Sequence, residues 1–221
     1  MPNRKVVPLA VAGPVRSGRA RAAHLGPERR RPLILDAALE VYVERGYRGT
    51  SMQAVADAAG VTKPVVYECY PNKDELLLAL LDREERRLLD AISEALPSNL
   101  VSDNVEAVLA AGLTAFLSGA GQAPNSWRAV FDSGWSSGSV VAVRVRCARD
   151  MILGQIGALV RLYMESAKVD DVERKVPVVA ELLATVAESC ARMLVLEHYP
   201  WTAAELATYV SRLITRGVRP V

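Results

Sequence analysis

Three short helical patterns follow one another near the start of the chain, and this succession constrains the fold more than any other feature. In the first pattern, apolar residues recur at the spacing of one helical face until Gly46 closes the helix. Thr50 or Ser51 offers an N-cap for a second pattern, which Gly60 ends. Thr62 can cap the third. Two short helices joined by a tight glycine-containing turn predict a helix-turn-helix.

Apolar residues at helical spacing continue almost to the end of the chain, and no segment gives a convincing strand pattern. Asn72 and Glu75 resemble a capping box at the start of a long fourth helix that runs to about Ala95. A polar break then separates this part from a second series of helices. We expect those helices at about 105–117, 126–133, 140–166, 173–198 and 203–216. The predicted fold class is therefore all-α, with a larger helical domain in the C-terminal part.

The first 31 residues form a basic arm, although the net charge of the whole chain is only +2. Glu28 is the one acidic residue of the arm, which carries +7 and leaves −5 for the rest of the chain. A segment rich in Pro, Gly and Ala buries too little apolar area to order itself, but its cations can neutralise phosphates. A solvated tail without a partner is the alternative. The basic residues are Arg4, Lys5, Arg16, Arg19, Arg21, Arg29, Arg30 and Arg31.

The sequence favours a cytoplasmic protein without a membrane partner. The apolar run near the N-terminus is broken by Pro8 and Pro14, which argues against a signal peptide. We expect no segment to approach the roughly 18 uncharged apolar residues that a membrane span needs. Cys69, Cys147 and Cys190 lack the spacing of a disulfide framework or a zinc site and are predicted to be buried thiols.

An enzyme is not expected, because His24 and His198 are the only histidines and no catalytic triad or histidine-based metal site can be built from them. Glu-x-x-His pairs of a di-iron helical bundle are absent as well. We therefore expect no catalytic residue, no cofactor and no metal, although a serine or carboxylate enzyme would leave no clear trace in the sequence.

The third helical pattern has one face that should point away from the core. At 100° per residue, Val66, Cys69 and Tyr70 fall on one arc, and Lys63 and Tyr67 fall on another with Pro64 and Glu68. The second arc is expected to enter the major groove of DNA, where Lys63 can reach a guanine edge or a phosphate. Tyr67 can give its hydroxyl to a phosphate or pack as a half-buried residue between helices.

The residues from about Arg30 to Leu81 resemble the DNA-binding domain of the tetracycline-repressor (TetR) family. The resemblance rests on Gly46-Tyr47, Thr50-Ser51-Met52, Val55-Ala56, Ala59-Gly60-Val61-Thr62, Tyr67, Tyr70, Asn72-Lys73 and Glu75-Leu76. It implies an all-helical homodimer that binds double-stranded DNA at a palindromic operator, with a C-terminal domain that binds a small effector. The resemblance implies that Lys73 contacts a DNA phosphate. The candidate DNA-binding residues are Ser51, Thr62, Lys63, Pro64, Val65, Tyr67 and Lys73.

We expect three parts: a basic arm at 1–28, the helix-turn-helix domain at 29–75, and an effector-binding and dimerisation domain at 76–221. Aromatic and soft side chains could line an effector pocket or form plain core: Phe116, Trp127, Phe131, Trp135, Cys147, Met151 and Tyr163. The last two helices carry apolar faces that could pair two subunits, with Leu183, Val186, Leu206, Tyr209 and Leu213 at the interface.

The predicted function is that of a sequence-specific transcriptional regulator, a repressor by the family resemblance, which a small apolar effector releases from its operator. The alternative is an architectural or weakly specific DNA-binding protein whose basic arm dominates affinity and which needs no effector.

Overall fold

The computed structural model of the chain describes residues 26–95, 104–132, 140–197 and 199–216. Within these ranges the protein is helical and contains no strand, as the all-α prediction expected. A π-helical turn, Arg128–Asp132, follows the sixth helix directly. The helices are α1 (Pro27–Gly49), α2 (Met52–Ala59), α3 (Lys63–Cys69), α4 (Lys73–Ala95), α5 (Val105–Gln122), α6 (Pro124–Trp127), α7 (Val140–Ser166), α8 (Val172–Val195) and α9 (Ala203–Arg216).

Helices α1 to α3 and the first half of α4 enclose the N-terminal hydrophobic core. Its fully buried members include Ala38 of α1, Val55 of α2, Val66 of α3 and Leu77 of α4. Gly46 lies within the α1 span at a φ of +66°, a conformation that glycine adopts without strain, and there the regular helix is interrupted. The predicted close of the first helix at Gly46 corresponds to this interruption.

The C-terminal domain has its own core around α5, which contacts α4, α8 and α9. Leu117 and Trp127 are almost completely buried there, and Val210 of α9 packs in the same cluster. Helices α7 and α8 run antiparallel, since Arg149 pairs with Glu181 and Arg161 pairs with Glu173. The face of α9 that carries Leu206 and Val210 is covered within one subunit.

Helix α5 differs from the sequence prediction that no segment would come near a membrane span. Among the described helices it alone is long and apolar enough to cross a membrane by length and composition. Its contacts with three neighbouring helices are those of the core helix of a helical domain, which passes the same test.

The two cores are joined by residues that come late in the chain. Ala129 of the π-helical turn and Val141 of α7 are fully buried in the N-terminal core. Arg144 of α7 adds an ion pair to Asp82 of α4, at 2.9 Å. The N-terminal domain is therefore packed against the C-terminal domain through α4, the π-helical turn and α7.

A buried carboxylate reinforces this junction. The side chain of Glu84 is completely buried on α4 and accepts hydrogen bonds from Ser126 Oγ and from Arg83 Nε, both at 2.6 Å. Arg83 also donates to Asp36 Oδ1 of α1 at 2.8 Å. One polar network therefore connects α1, α4 and α6.

Candidate DNA-binding surface

The turn between α2 and α3 has the geometry of a helix-turn-helix. Ser51 caps α2, because its Oγ accepts the backbone N–H of Ala54 at 3.1 Å. Gly60 ends α2 in the left-handed conformation, with a φ of 66° that few side chains tolerate. Thr62 precedes α3 in extended conformation, and its side chain makes no cap hydrogen bond. The hydroxyl of Thr62 is thus available to a ligand.

Helix α3 buries one face and exposes the other, as the helical arcs predict. Val66, Cys69 and Tyr70 are buried, and burial raises the pKa of the Cys69 thiol. On the opposite side Lys63 is exposed and Tyr67 keeps 44% of its surface exposed. Lys63 Nζ lies 5.8 Å from the centre of the Tyr67 ring, so the two side chains form one contiguous surface.

The remaining candidate residues surround this surface. Ser51, Thr62 and Pro64 are exposed, and Val65 is half-buried. The hydroxyl of Ser51 accepts a hydrogen bond as a cap but keeps its own hydrogen, which it can donate to a phosphate oxygen. The backbone N–H groups at the start of α2 lie at the same edge and favour anions.

Lys73 is already engaged within the protein. Its ammonium group donates to the carbonyl oxygen of Tyr47 and lies 4.0 Å from the centre of the Tyr47 ring. Burial lowers the pKa of Lys73. The Tyr47 hydroxyl donates to Asp74 Oδ1 at 3.0 Å, and burial together with this bond raises the pKa of Tyr47. Lys73 therefore joins α1 to α4, with two N–H groups left for a phosphate.

The residues predicted for an effector pocket separate into two groups. Phe131 lies 6.0 Å from the rings of both Phe116 and Trp127, measured between ring centres, and these three form one aromatic cluster. Cys147, Met151 and Tyr163 are exposed on the outer surface of α7 and do not reach it. Exposed Cys147 also corrects the prediction of three buried thiols. Trp135 lies outside the described residues.

A cleft of about 190 Å³ lies beside this aromatic cluster, between the π-helical turn, α7 and α8. Phe131 is its only predicted member. Arg149 and Glu188 form an ion pair in its wall, with 3.3 Å between Nε and Oε1. Arg149 and Glu188 are charged residues on otherwise apolar faces of α7 and α8. This interruption of the apolar pattern is visible in the sequence and could have pointed to the cleft. The other lining residues are Val130, Val145, Ala148 and Ile152.

The residues predicted for a dimer interface are also divided. Leu206 of α9 is buried in the core of its own subunit, and Val186 of α8 packs against that core. Leu206 is unavailable to a partner, because the apolar face of α9 is covered by α5. Val186 is half-buried. Leu183 is half-buried, whereas Tyr209 and Leu213 remain exposed.

A larger exposed apolar stripe runs along α7 and α8, and it was not singled out from the sequence. Leu159 and Leu162 of α7 are 68% and 67% exposed, and Leu182 of α8 is 60% exposed. Met151, Tyr163 and Val178 extend the same stripe. Gly157 marks the close approach of the two helices, since a Cβ atom there would lie 3.5 Å from Val176 Cγ1.

Comparison with known proteins agrees with this arrangement. Residues 34–80, from the first buried turn of α1 to the middle of α4, match the model of the bacterial regulatory proteins of the tetR family. This match identifies residues 34–80 as a TetR-family domain, which the first four helices supply.

Two curated relatives of the chain are transcriptional regulators. The transcriptional activator FasR of Mycolicibacterium smegmatis is 35% identical over 133 residues, which are 60% of this chain and 59% of FasR. The transcriptional repressor KstR of Mycobacterium tuberculosis is 36% identical over 90 residues, or 39% of this chain and 37% of KstR. The matches thus span less than two thirds of either relative.

Solved structures extend the likeness to both domains of the chain. A TetR-like transcriptional regulator from Rhodococcus sp. RHA1 has a TM-score of 0.68 at 26% identity and covers 88% of this chain and 100% of its own. The regulator FadR of Bacillus subtilis, crystallised with stearoyl-CoA, has a TM-score of 0.64 at 18% identity and covers 85% and 99%. The whole fold is therefore that of TetR-family regulators.

Proposed function

We propose that the protein is a sequence-specific transcriptional regulator that reads a palindromic operator through α3. The observation that carries this proposal is the exposed surface of Lys63, Pro64 and Tyr67, held opposite the buried face of a helix-turn-helix recognition helix. Side chains on such a face reach base edges in the major groove, and the surrounding hydroxyl and N–H groups position the helix on phosphates.

The functional unit of this proposal is a homodimer built on α7 and α8. The exposed stripe around Leu159, Leu162 and Leu182 holds the most exposed large apolar side chains of the described subunit, and a second copy would cover them. Helices α7 and α8 of one subunit and the same two helices of a second copy, related by a twofold axis, would form a four-helix bundle. In this proposal α8 keeps the dimerisation role predicted from the sequence, and α7 replaces α9 as the second helix of the interface.

A small, largely apolar effector would bind the C-terminal domain. The cleft beside Phe131 offers an apolar wall with one ion pair, and the nearby indole N–H of Trp127 is buried without an acceptor among the described residues. A polar atom of a bound molecule could satisfy that donor. Acyl-CoA molecules are the first probes to test, because FadR was crystallised with stearoyl-CoA.

The effector would act on the position of the DNA-binding domains and release a repressor from its operator. Phe131 lines the cleft, and Ala129, two residues earlier, is buried in the N-terminal core. A molecule that displaces the π-helical turn therefore acts on both domains. The relative KstR is a repressor and the relative FasR is an activator. Expression of a reporter gene under the selected operator therefore distinguishes repression from activation by this protein.

Selection of genomic DNA fragments by the purified protein tests the proposed function directly. The expected result is one dyad-symmetric sequence whose half-sites lie roughly 34–36 Å apart, about one helical turn. Competition with unrelated DNA at fixed salt then measures the preference for that sequence. Fragments with no common sequence, bound as tightly as the competitor, would replace the proposal with the architectural alternative.

A further inference from the structure

Helix α3 carries one acidic residue, on the face that the proposed function places in the major groove. Glu68 lies one turn after Pro64 and directly after Tyr67, and its side chain is 56% exposed. Duplex DNA is a polyanion, so an uncompensated carboxylate at this place would weaken binding to every sequence. A carboxylate on this face therefore needs a compensating cation and a hydrogen-bond donor on the DNA.

Arg30 of α1 supplies the cation. Its Nη1 donates to Glu68 Oε2 at 2.9 Å, and its side chain is only 15% exposed, so the guanidinium is held against α3 by the residues around it. Residues 1–25 of the predicted basic arm precede this point and lie outside the described residues. The bond from Arg30 compensates the charge of Glu68 and fixes the direction of its carboxylate.

The bond from Arg30 leaves Glu68 with acceptor capacity to spare. A carboxylate has two oxygens with about four lone-pair sites, and one N–H occupies only one of them. An ion pair with an exposed partner contributes only about 0–1 kcal/mol to stability, and Glu68 is exposed enough for that range to apply. The pair thus adds little to folding, while it presents an oriented hydrogen-bond acceptor on the recognition helix.

We infer that Glu68 is a specificity-determining residue that accepts a hydrogen bond from the N4 amino group of a cytosine in each half-site, with Arg30 as its positioning residue. The inference rests on the proposed function, since it needs α3 on DNA. Cytosine N4 is the donor that a G·C pair presents in the major groove, and glutamate is a side chain that accepts from it. Glu68 follows Lys63 by five residues, or about 7.5 Å along the helix, which is about two base pairs. The two side chains therefore reach different base pairs of one half-site.

The test measures base preference in full-length variants on the operator selected from genomic DNA. Affinity is determined at fixed salt for this operator and for every single-base change in it, introduced symmetrically in both half-sites. Glu68→Gln keeps the size of the side chain and an oxygen for Arg30 but removes the charge, whereas Glu68→Ala removes the acceptor. Glu106→Gln is the matched control, since it removes a carboxylate that pairs with Arg212 between α5 and α9.

We expect the parent to prefer cytosine at one position of the half-site by roughly 5- to 150-fold for each half-site. Glu68→Ala should lose that preference. Glu68→Gln should accept adenine there at least as well as cytosine, because an amide side chain pairs with adenine N6 and N7. All other positions should keep their ranking of bases, and Glu106→Gln should reproduce the parent.

Arg30→Gln separates positioning from reading. Without the guanidinium, Glu68 is an uncompensated carboxylate, so operator affinity should fall, most strongly at low salt, where the repulsion is least screened. The preference for cytosine should narrow as well, because the carboxylate loses its fixed direction. Adding Glu68→Gln to Arg30→Gln should restore the affinity lost to repulsion. A double variant that binds as weakly as Arg30→Gln alone would remove the positioning role.

A Glu68→Ala protein with the parent's ranking of bases at every position would overturn the inference while leaving the proposed function intact. A ranking changed at several positions would also overturn it, because Glu68 would then orient the whole helix instead of reading one base. If the parent binds the selected DNA no better than random DNA, the proposed function fails and the inference with it.

Discussion

At the scale of single residues, two lysines of the proposed DNA-binding surface differ in how much of their side chains is exposed and in what they contact. Lys63 is exposed on α3 beside Tyr67, so its ammonium group is free to meet a base edge or a phosphate. Lys73 is half-buried and donates to the carbonyl oxygen of Tyr47. The first is placed for reading DNA, and the second mainly holds α4 against α1.

Replacing Lys63 by Ala should cost about 1–3 kcal/mol of operator binding if Lys63 reads a base, and the loss should be confined to one base pair in each half-site. Titrations against single-base variants of the selected operator measure this. Lys175→Ala, on α8, is the matched control and should leave DNA binding unchanged. A Lys63→Ala protein with the parent's affinity for every operator variant would remove Lys63 from the site.

Glu84 gives a second prediction at this scale. Its bond with Ser126 is a hydrogen bond to a buried carboxylate, so Ser126→Ala should lower the free energy of unfolding by about 1.5–3 kcal/mol. Glu84→Gln should cost a similar amount, and the double variant should cost less than the sum of the two. Chemical denaturation measures all three. Single effects that add within about 0.5 kcal/mol would show that the two residues do not interact.

At the scale of elements, the helices themselves were predictable because their ends carry local signals. Ser51 caps α2, Asn72 accepts the N–H of Glu75 at the start of α4, and Thr202 with Glu205 forms a capping box before α9. Such signals act within one helical turn and are legible in a single sequence. The faces of α3 were predictable for the same reason.

The sequence did not predict which element packs against each apolar helix face. Periodicity identifies an apolar face, but it does not show whether a helix of the same subunit or a second subunit covers that face. Leu206 on α9 was assigned to a second subunit, yet it lies in the core of its own subunit, where α5 covers it. The stripe of Leu159 and Leu162 on α7 stays exposed instead. Met151 was assigned to the effector pocket on the same kind of pattern, yet its side chain is exposed on α7.

Substitution of Leu159 and Leu162 by Glu separates these two possible interfaces. Full burial of a leucine contributes about 1.5–3 kcal/mol, so two charged residues in a dimer contact should yield monomers that bind the operator poorly. Leu213→Glu on α9 should leave a dimer. Sedimentation analysis distinguishes the two species. A dimeric α7 variant alongside a monomeric Leu213→Glu variant would restore the interface predicted from the sequence.

At the scale of the whole molecule, the proposed effector and DNA would be linked through the contact between the two cores. An effector changes operator affinity only as far as it binds the two arrangements of the DNA-binding domains with different affinity. A coupling of about 1–3 kcal/mol would weaken DNA binding about 5- to 150-fold, and DNA would weaken effector binding by the same factor.

Filling the cleft should abolish this coupling. Ile152→Trp places a large ring in the cleft wall and should block effector release, whereas Cys147→Trp, on the exposed side of α7, should not. Operator binding is measured with and without acyl-CoA molecules of graded chain length. A normal response in the Ile152→Trp protein, or a lost response in the Cys147→Trp protein, would place the effector elsewhere.

The burial of Ala129 and Val141 in the N-terminal core means that the DNA-reading head is not a transferable module. A chimera cut after α4 would leave that core open where these two side chains belong. Exchange of regulators at the level of whole domains therefore has to carry two separate pieces of chain, the head itself and the part that supplies Ala129 and Val141.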